Sequence, residues 1–335
     1  MKQYIITSND SDQRLDKFLK KLFVNASRSL IYKLNRKGKI KIITNEWKKT
    51  KQDNEYKLQI GEQVQIFLSE KEIGELSQQV GNADLQTLQW SQKLSKKDIV
   101  FEDNDLLIIN KNPGLNVHPG DNKTTEVSLI QQVEDYYAGK LNSLTFKPSL
   151  IHRIDRDTSG IIMIAKGKHI LTKLSSDFKK KDALKKTYFA LVLGKLSRPN
   201  GTIKKNLLRI ENAKNENKVQ VTEKGQEAIT HFTVLDEYSV KIPEGEQIIS
   251  AIEVTIETGR MHQIRVHMSH IWNPILGDKA YGDKRLNSYF EKNYGVSRQM
   301  LHAWKIEFFH PGREKKMNLT AKLKTDMETF IWKIK

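Results

Sequence analysis

Short apolar stripes and basic faces alternate through the first 70 residues. Apolar side chains recur at spacings of three and four between residues 14 and 22, at Leu15, Phe18, Leu19 and Leu22. This spacing predicts an amphipathic helix capped by Ser11 or Asp12. A second helix is predicted to begin after the cap Ser27 and to end at Gly38, with lysines and arginines on its polar face.

Three segments after these helices alternate between apolar and polar residues, at 39–43, 56–60 and 64–67. They predict a small β-sheet. Two helices and a sheet in about 55 residues give a small core, but they are enough for a nucleic-acid-docking module. The alternative is an amphipathic helical pair that packs on the main domain.

Residues 69–97 are polar, rich in glutamine and serine, and poor in apolar residues that would anchor them to a core. This composition is typical of a linker, here with one helical turn, and predicts that the domains on either side reorient against each other. A second domain is predicted to begin near Asp98.

The second domain is predicted to contain more strands than helices. It begins with a hairpin of 99–102 and 106–110, followed by a helix around Val127–Tyr137. A buried strand at 161–165 precedes a basic helix at 168–182. Further strands are predicted at 187–193, 201–210, 228–235, 249–257, 304–309 and 316–321, with a last helix from Thr325. Runs of adjacent strands predict an α+β domain with a mixed, largely antiparallel sheet, and not a doubly wound one.

The stretch LIHRIDRDTSGIIMIAK, residues 150–166, places ionisable side chains between two apolar segments: His152, Arg153, Asp155, Arg156 and Asp157. A turn that presents charges at the edge of a sheet fits this pattern, with Thr158, Ser159 and Gly160 as the turn. Asp155 lies between two arginines, which favours the ionised carboxylate, and such a group acts as a nucleophile or a base. The alternative is an arginine–aspartate ion-pair network that closes a loop.

The net charge and its distribution along the chain indicate which class of partner the protein binds. The formal net charge is +17, and the excess is concentrated in residues 1–70, with a net +7, and residues 166–224, with a net +11. This clustering indicates a docking surface for a polyanion. Nucleic acid fits better than a membrane because no basic helix carries a broad apolar face.

Several classes of protein are excluded by what the sequence lacks. There is no cysteine, which excludes disulfides, thiolate metal sites and cysteine nucleophiles. No apolar run approaches the ~20 residues that cross a bilayer, and the N-terminus has no apolar signal core, so we expect a cytoplasmic protein. The sequence contains no Walker loop, dinucleotide-binding glycine motif, nucleophile elbow or kinase signature. The motifs that phosphoryl transfer, dinucleotide chemistry and serine hydrolysis require are therefore missing.

Two single residues are candidates to meet Asp155. Tyr188 enters a predicted strand behind a basic helix, where its ring is suited to stack on a nucleobase. The alternative is a core tyrosine with a satisfied hydroxyl. Leu301 begins an apolar segment before a strand, and such a residue most often only packs.

The segment TGRMHQIRVH, residues 258–267, is a third candidate. As a helix it would place His262 and Arg265 on one face, with Gln263 near another. The spacing of His262 and His267 does not align two zinc ligands on one helical face. An arginine that orients the carboxylate and contacts phosphate is therefore the better use of this segment.

The N-terminal segments RLDKFLKKLFVNASRSLIYKLNRKGKIKI and YKLQIGEQVQI resemble the S4 RNA-binding module. The family's usual valine-asparagine-glycine hairpin is replaced by Thr44, Asn45 and Glu46. The resemblance implies RNA contacts by a set of polar and basic residues: Arg14, Ser27, Arg28, Lys37 and Lys39.

The central stretch resembles the HRLDxxTSG signature of the RluA-type pseudouridine synthases. KKTYFALVLG, TGRMHQIRVHMSHIWNPILGDKAYG and LHAWKIEFFHP match the family's other motifs in order, and Arg156 with Asp157 is most like the RluC branch, which modifies large-subunit ribosomal RNA. Ile154 replaces a leucine, Met261 replaces a threonine, and the proline of NKNPG is shifted by one place.

Together the two resemblances cover nearly the whole chain. They imply an S4-like α/β domain at 12–70, a linker at 71–97 and a catalytic domain at 98–330. The implied fold is α+β, a pseudouridine-synthase domain with a mixed, largely antiparallel sheet plus the small N-terminal domain.

The resemblance implies isomerisation of uridine to pseudouridine, without a cofactor or a metal. Asp155 would be essential, Tyr188 would stack on the base and Arg265 would pair with Asp155. Contacts with the substrate RNA are implied for Arg153, His152, His262, Gln263 and Leu301. The implied partner is large-subunit ribosomal RNA, with no membrane and no dinucleotide, and the implied molecule is a monomer.

Two other classes of function are compatible with the residues alone. A non-catalytic RNA-binding or ribosome-assembly protein would show the same charge and the same N-terminal module. A metal-dependent nuclease that uses the histidines would be sensitive to chelators and would cleave the strand.

Overall fold

The computed structural model describes residues 1–77, 93–119, 126–141, 143–178, 180, 183–211 and 217–335. The chain divides into two compact units. Unit 1 comprises Met1–Leu94, Ile130–Ser149 and Ala165–Thr172, and unit 2 comprises Ser95–Leu129, Leu150–Ile164 and Lys173–Lys335. Residues 78–92 of the predicted linker and residues 179, 181 and 182 of the predicted basic helix lie outside the described residues.

The described residues form helices and strands with the following bounds. The α-helices are α1 Leu15–Leu22, α2 Arg28–Arg36, α3 Glu70–Ser77, α4 Leu129–Tyr136, α5 Lys168–Asp177, α6 Gln263–His270, α7 Lys284–Tyr294 and α8 Thr325–Ile334. The β-strands are β1 Lys2–Ile5, β2 Ile40–Ile43, β3 Lys49–Thr50, β4 Gln63–Ile66, β5 Ile99–Glu102, β6 Leu106–Lys111, β7 Ser149–Leu150, β8 Ser159–Ala165, β9 Leu184–Leu193, β10 Asn200–Lys204, β11 Leu207–Glu211, β12 Asn217–Val221, β13 Ile229–Ile242, β14 Gly245–Ile256, β15 Leu301–His310 and β16 Lys315–Thr320.

Unit 1 contains a four-stranded sheet in the order β1-β4-β2-β3 and helices α1 and α2. The predicted cap of α1 was wrong, because Arg14 occupies the N-cap position and no side chain caps the helix. The cap of α2 is confirmed: the Leu30 amide donates to Ser27 Oγ at 3.2 Å. The predicted strand 56–60 was also wrong, because Leu58 exchanges backbone hydrogen bonds with the loop before α1 instead of with the sheet.

Helix α3 has eight residues where one helical turn was predicted. Its start has reciprocal caps: the Ser69 amide donates to Glu72 Oε2 at 2.7 Å, and the Glu72 amide donates to Ser69 Oγ at 3.3 Å. This capping box satisfies two backbone donors that a helix start otherwise leaves to water.

Unit 2 is built on a ten-stranded sheet with the main order β10-β13-β14-β9-β15-β8-β6-β5, to which β16 adds beside β15 and β7 beside β8. Strands β15 and β8 pair in parallel, whereas β13, β14, β9 and β15 pair antiparallel in sequence along the sheet. The predicted α+β class with a mixed, largely antiparallel sheet is confirmed. The predicted strand 201–210 is two strands, and β11 pairs with β12 in a separate two-stranded sheet. Helix α7 was not predicted.

The junction of β8 and β15 positions the charged stretch. Gly160 has φ +111°, and a Cβ added to it would lie 2.2 Å from the carbonyl oxygen of Ala303, so only glycine allows this approach. Ser159 and Gly160 therefore lie in β8, which corrects the predicted turn. The turn is formed by residues 155–158 instead, where the Thr158 amide donates to the Asp155 carbonyl at 3.2 Å. Across the described residues, no helix is long and apolar enough to cross a membrane.

Candidate active site

Asp155 lies in the turn that leads into the buried strand β8, and its side chain is 27% exposed. Arg265, on the first turn of α6, donates from Nη1 to Asp155 Oδ2 at 3.0 Å. A charge-assisted bond of this kind fixes the direction of the carboxylate. The structure thus brings together two residues that lie far apart in the sequence.

A second carboxylate holds the same arginine from the other side. Asp278 is fully buried, and it accepts from Arg265 Nε at 2.6 Å and from Nη2 at 2.9 Å. The backbone amides of Ala280 and Tyr281 also donate to Asp278 Oδ1, at 2.9 and 3.1 Å. Asp278 therefore accepts hydrogen bonds from Nε and Nη2 of the guanidinium, while Nη1 donates to Asp155.

This arrangement keeps Arg265 in its positively charged form. Burial disfavours the charged form, but the hydrogen bonds and the charge of Asp278, together with Asp155, raise the pKa of Arg265 above its usual value. A guanidinium that carries its charge at every accessible pH gives the Asp155 carboxylate a permanent partner.

Asp155 lines a cavity of about 510 Å³, here named the Asp155 cavity. Tyr188 of β9 and Leu301 of β15 line the same cavity. Burial and the negative charge of Asp155 raise the pKa of Tyr188, so that its hydroxyl stays protonated. This hydroxyl has no hydrogen-bond partner among the described residues, which argues against a core tyrosine with a satisfied hydroxyl.

His262 and Gln263 shape the wall of the cavity next to Arg265. The expectation that His262 lies within the helix was wrong: it is the N-cap of α6, with φ 53°. Its Nε2 lies 3.9 Å from Asp155 Oδ2, and burial lowers its pKa, although Asp155 opposes this. Gln263 is buried, and its amide bonds Thr258, Ile229, Thr230 and the Arg260 amide at 2.8–3.0 Å.

The opposite part of the cavity is formed by His152, Phe178 and Lys186. His152 Nε2 accepts from the Met163 amide at 3.1 Å, and its ring stacks on Phe178 at 4.8 Å between centroids. Burial, with the charge of Lys186, lowers the pKa of His152 to about 3, so the ring is neutral. Lys186 is half-buried, and its ammonium makes no ion pair with any residue that the structure describes. It is thus a cation available to an anionic ligand.

Two buried basic side chains, Lys111 and Arg298, hold the backbone around Asp155. Lys111 Nζ donates to the carbonyl of Arg156 at 2.6 Å and to the carbonyls of Asn112 and Leu115 at 2.8 and 2.9 Å. Burial lowers the pKa of Lys111 to about 7. Arg298 Nη1 donates to the carbonyl of Asp157 at 3.3 Å, and its Nε donates to Asp326 Oδ2 at 2.6 Å.

The remaining predicted contacts are in unit 1. Arg14 donates to Asp16 from Nε at 3.0 Å and from Nη2 at 2.9 Å, and Arg28, with a 71% exposed side chain, lies 3.4 Å from the same carboxylate. Ser27 caps α2, while Lys37 and Lys39 are exposed just after that helix. Arg28, Lys37 and Lys39 are therefore exposed basic side chains of this unit.

One other group of side chains has the composition of a metal site. Asp103, Asp105 and His310 bring their ligand atoms within 4.8 Å of one another. Arg313 Nε already donates to Asp103 Oδ2 at 2.6 Å, and His310 Nε2 lies 3.2 Å from that oxygen. Arg313 therefore already pairs with the charge of Asp103 in this cluster, which lies outside the Asp155 cavity.

Comparison with known proteins decides the family. The family described as RNA pseudouridylate synthase matches residues 105–270. "Ribosomal large subunit pseudouridine synthase C" of Buchnera aphidicola subsp. Baizongia pistaciae is 35% identical over 326 residues, which cover 97% of this chain and 95% of the relative. The protein of that name from Vibrio cholerae is 31% identical and covers 99% of this chain and 97% of the relative.

The chain belongs to the RNA pseudouridylate synthase family. Solved structures of human RNA Pseudouridylate Synthase Domain Containing 4 and Domain Containing 1 agree in fold. Their TM-scores are 0.56 and 0.54 at 23% identity, with 71% and 70% of this chain and 93% and 85% of those chains covered. The predicted family, its α+β fold and its class of enzyme, an RNA-modifying isomerase, are confirmed.

Three buried charged residues that hold Asp155, Arg265 or the backbone beside them were not predicted from the sequence. Asp278 stands in the quoted GDKAYG segment and Lys111 in NKNPG, but neither has a local pattern that reveals its partner. Arg298 precedes the LHAWKIEFFHP segment and looks like any surface arginine in the sequence. Only the fold places these three charges in the interior.

Proposed function

We propose that this chain isomerises uridine to pseudouridine in large-subunit ribosomal RNA, and that Asp155 carries out the essential step without a cofactor. The observation that supports this most directly is the half-buried carboxylate of Asp155, 3.0 Å from Arg265, in a cavity that also contains Tyr188. The named large-subunit rRNA synthases that share 31–35% of its residues support the choice of substrate.

The reaction breaks the N1–C1′ bond of uridine, turns the uracil within the cavity and joins C5 to C1′. The proton on C5 is lost and one is gained at N1, so no atom is gained or lost in total. Asp155 acts at the sugar, either by attack on C1′ or by removal of a sugar proton. Arg265, anchored by Asp278, keeps the carboxylate directed at that atom.

Tyr188 holds the base during this rotation. Its ring lies in the cavity wall, where it packs against the flat uracil. Because its hydroxyl stays protonated, Tyr188 serves as a hydrogen-bond partner and a relay for the C5 proton, and it does not act as a phenolate base.

RNA binding must offset the cost of taking the target uridine out of its stack, about a few kcal/mol. We assign phosphate contacts to exposed Arg153 and to the ammonium of Lys186, which lies 5.1 Å from the centroid of the Phe178 ring and has no carboxylate partner among the described residues. His262 and Leu301 contact the nucleotide, whereas neutral His152 and fully bonded Gln263 support the walls.

The wider proposal follows the resemblances in the sequence. Residues 12–70 form an S4-like domain that docks on rRNA through Arg14, Ser27, Arg28, Lys37 and Lys39. Residues 71–97 are the linker and 98–330 the catalytic domain, in a monomer that acts in the cytoplasm.

The test uses a large-subunit rRNA transcript labelled with tritium at C5 of uridine. Formation of pseudouridine releases this tritium into water, so the released count gives the rate. We expect release by the wild-type chain and none by Asp155→Asn, which has nearly the same shape and should bind the transcript equally well. Release by Asp155→Asn at the wild-type rate would refute the assignment, and no release by wild type on any rRNA would favour a non-catalytic RNA-binding protein.

A further inference from the structure

A second cavity of about 520 Å³ opens beside the Asp155 cavity. The two cavities share five lining residues: Arg153, Ile154, Asp155, Gly259 and Arg260. The second cavity extends away from Tyr188 and is completed by the strand pair β11–β12 and by Met261. A ligand in one cavity therefore lies directly beside a ligand in the other.

The lining of the second cavity combines an apolar surface with guanidinium groups. Leu207, Leu208, Val219 and Met261 supply the apolar part. Arg153, Arg209 and Arg260 supply positive charge, and among the described residues of the lining the shared Asp155 is the one carboxylate. Flat aromatic rings stack on aliphatic and guanidinium surfaces, and phosphates pair with arginine, so the chemistry suits a nucleotide.

Two polar groups in this cavity are unused by the protein. Gln226 is exposed, and its side-chain amide makes no hydrogen bond with any described residue. Arg153 is also exposed, and its guanidinium makes no hydrogen bond or ion pair with any of those residues. An amide offers one donor pair and one acceptor, which is the pattern that reads the edge of a nucleobase.

We propose that the second cavity holds the base of a nucleotide next to the target uridine and that Gln226 and Met261 select that base. The proposal rests on the proposed function, because it places the target ribose at Asp155. It makes the choice of site depend on the identity of one neighbour in the rRNA strand, in addition to the uridine itself.

Substitutions in the second cavity separate this role from catalysis. Gln226→Ala removes the amide from an exposed position, so the fold is kept. Met261→Thr shortens the apolar wall to the residue that the family motif carries there. Met317→Thr is the matched control, since Met317 is also half-buried but lies on β16, away from both cavities.

The experiment uses short RNAs that contain a uridine which the wild-type chain converts in a large-subunit rRNA transcript. Three versions are compared: intact, abasic at the 5′ neighbour and abasic at the 3′ neighbour. Wild type should lose about tenfold or more in kcat/KM for one abasic version and little for the other. Gln226→Ala and Met261→Thr should lose most of this difference, whereas Met317→Thr should retain it.

Two results would overturn the inference. Equal rates for wild type on all three RNAs would show that no neighbouring base is held, while leaving pseudouridine formation intact. Undiminished sensitivity in both cavity variants would show that the neighbour is read elsewhere. No conversion of any uridine by wild type would instead remove the proposed function, and the inference with it.

Discussion

The hydrogen bonds by which Asp278 holds Arg265 lead to a prediction about both the activity and the stability of the chain. Asp278→Asn keeps the shape of the side chain but removes the negative charge that accepts two hydrogen bonds from the guanidinium, at 2.6 and 2.9 Å. Arg265 would be left with Asp155 as its only carboxylate and would turn its fork toward it. The guanidinium of Arg265 would then cover the carboxylate of Asp155, which in the wild-type chain it only orients.

The magnitude follows from the burial of this pair. Removal of one partner from a buried ion pair costs about 3–5 kcal/mol of the free energy of unfolding. Because Arg265 retains Asp155, we expect the lower end, about 3 kcal/mol. A displacement of a reacting group by about 1 Å lowers the rate roughly 100-fold, so kcat for tritium release should fall by about that factor.

The assay pairs tritium release under saturating RNA with urea unfolding of the same preparations. Asp283→Asn is the matched control, because Asp283 caps α7 by accepting from the Leu286 amide and asparagine is an equally good cap. This control should keep both kcat and stability. If Asp278→Asn lost stability but kept kcat within about threefold, the orienting role of Asp278 would be refuted.

Three other predictions concern the cavity and its supports. Tyr188→Phe keeps the ring but loses the protonated hydroxyl, so single-turnover tritium release should slow by about 100-fold with RNA affinity kept; an unchanged rate would remove the relay. Lys186→Met should lower the slope of log affinity against log salt by about 1 in a filter-binding titration, whereas Lys185→Met, whose ammonium pairs with Glu307 at 3.7 Å, should not; equal slopes would contradict the phosphate contact. Burial lowers the pKa of His302 from 6.5 to about 4. Between these two pH values the unfolded chain binds a proton at His302 and the folded chain does not. The free energy of unfolding should therefore fall by roughly 3 kcal/mol as the pH is lowered through this range. His302→Asn should lack this part of the acid slope in urea unfolding, and identical slopes would show that another group is responsible.

The sequence singles out Asp155 as a candidate because its neighbours form a recognisable pattern. Two arginines flank it, apolar segments bracket the turn, and the HRIDRDTSG, KKTYFALVLG and TGRMHQIRVH segments occur in the same order as the motifs of the family that they resemble. The pairing with Arg265 followed from that resemblance, and the structure shows it at 3.0 Å. The resemblance therefore predicted the contact between Asp155 and Arg265, while the catalytic role of Asp155 stays a prediction.

The support behind that pair was not predictable, because it depends on backbone geometry that periodicity does not encode. His262 has a left-handed φ of 53° and is the N-cap of α6, so the helix starts after it instead of extending through it as the spacing predicted. Gly160 and Ala303 meet in a parallel pairing that joins distant parts of the chain. The alternating segment 56–60 has the pattern of a strand, but the buried Leu58 bonds to Asp12 and Gln13.

The most direct test of the central claim is a map of pseudouridines in large-subunit ribosomal RNA from cells that lack this chain. Carbodiimide-stopped primer extension would compare these cells with cells that carry the wild-type chain or Asp155→Asn at equal protein levels. We expect one or a few pseudouridines to disappear without the chain, to return with wild type and to stay absent with Asp155→Asn. An unchanged map without the chain, or full restoration by Asp155→Asn, would contradict the account.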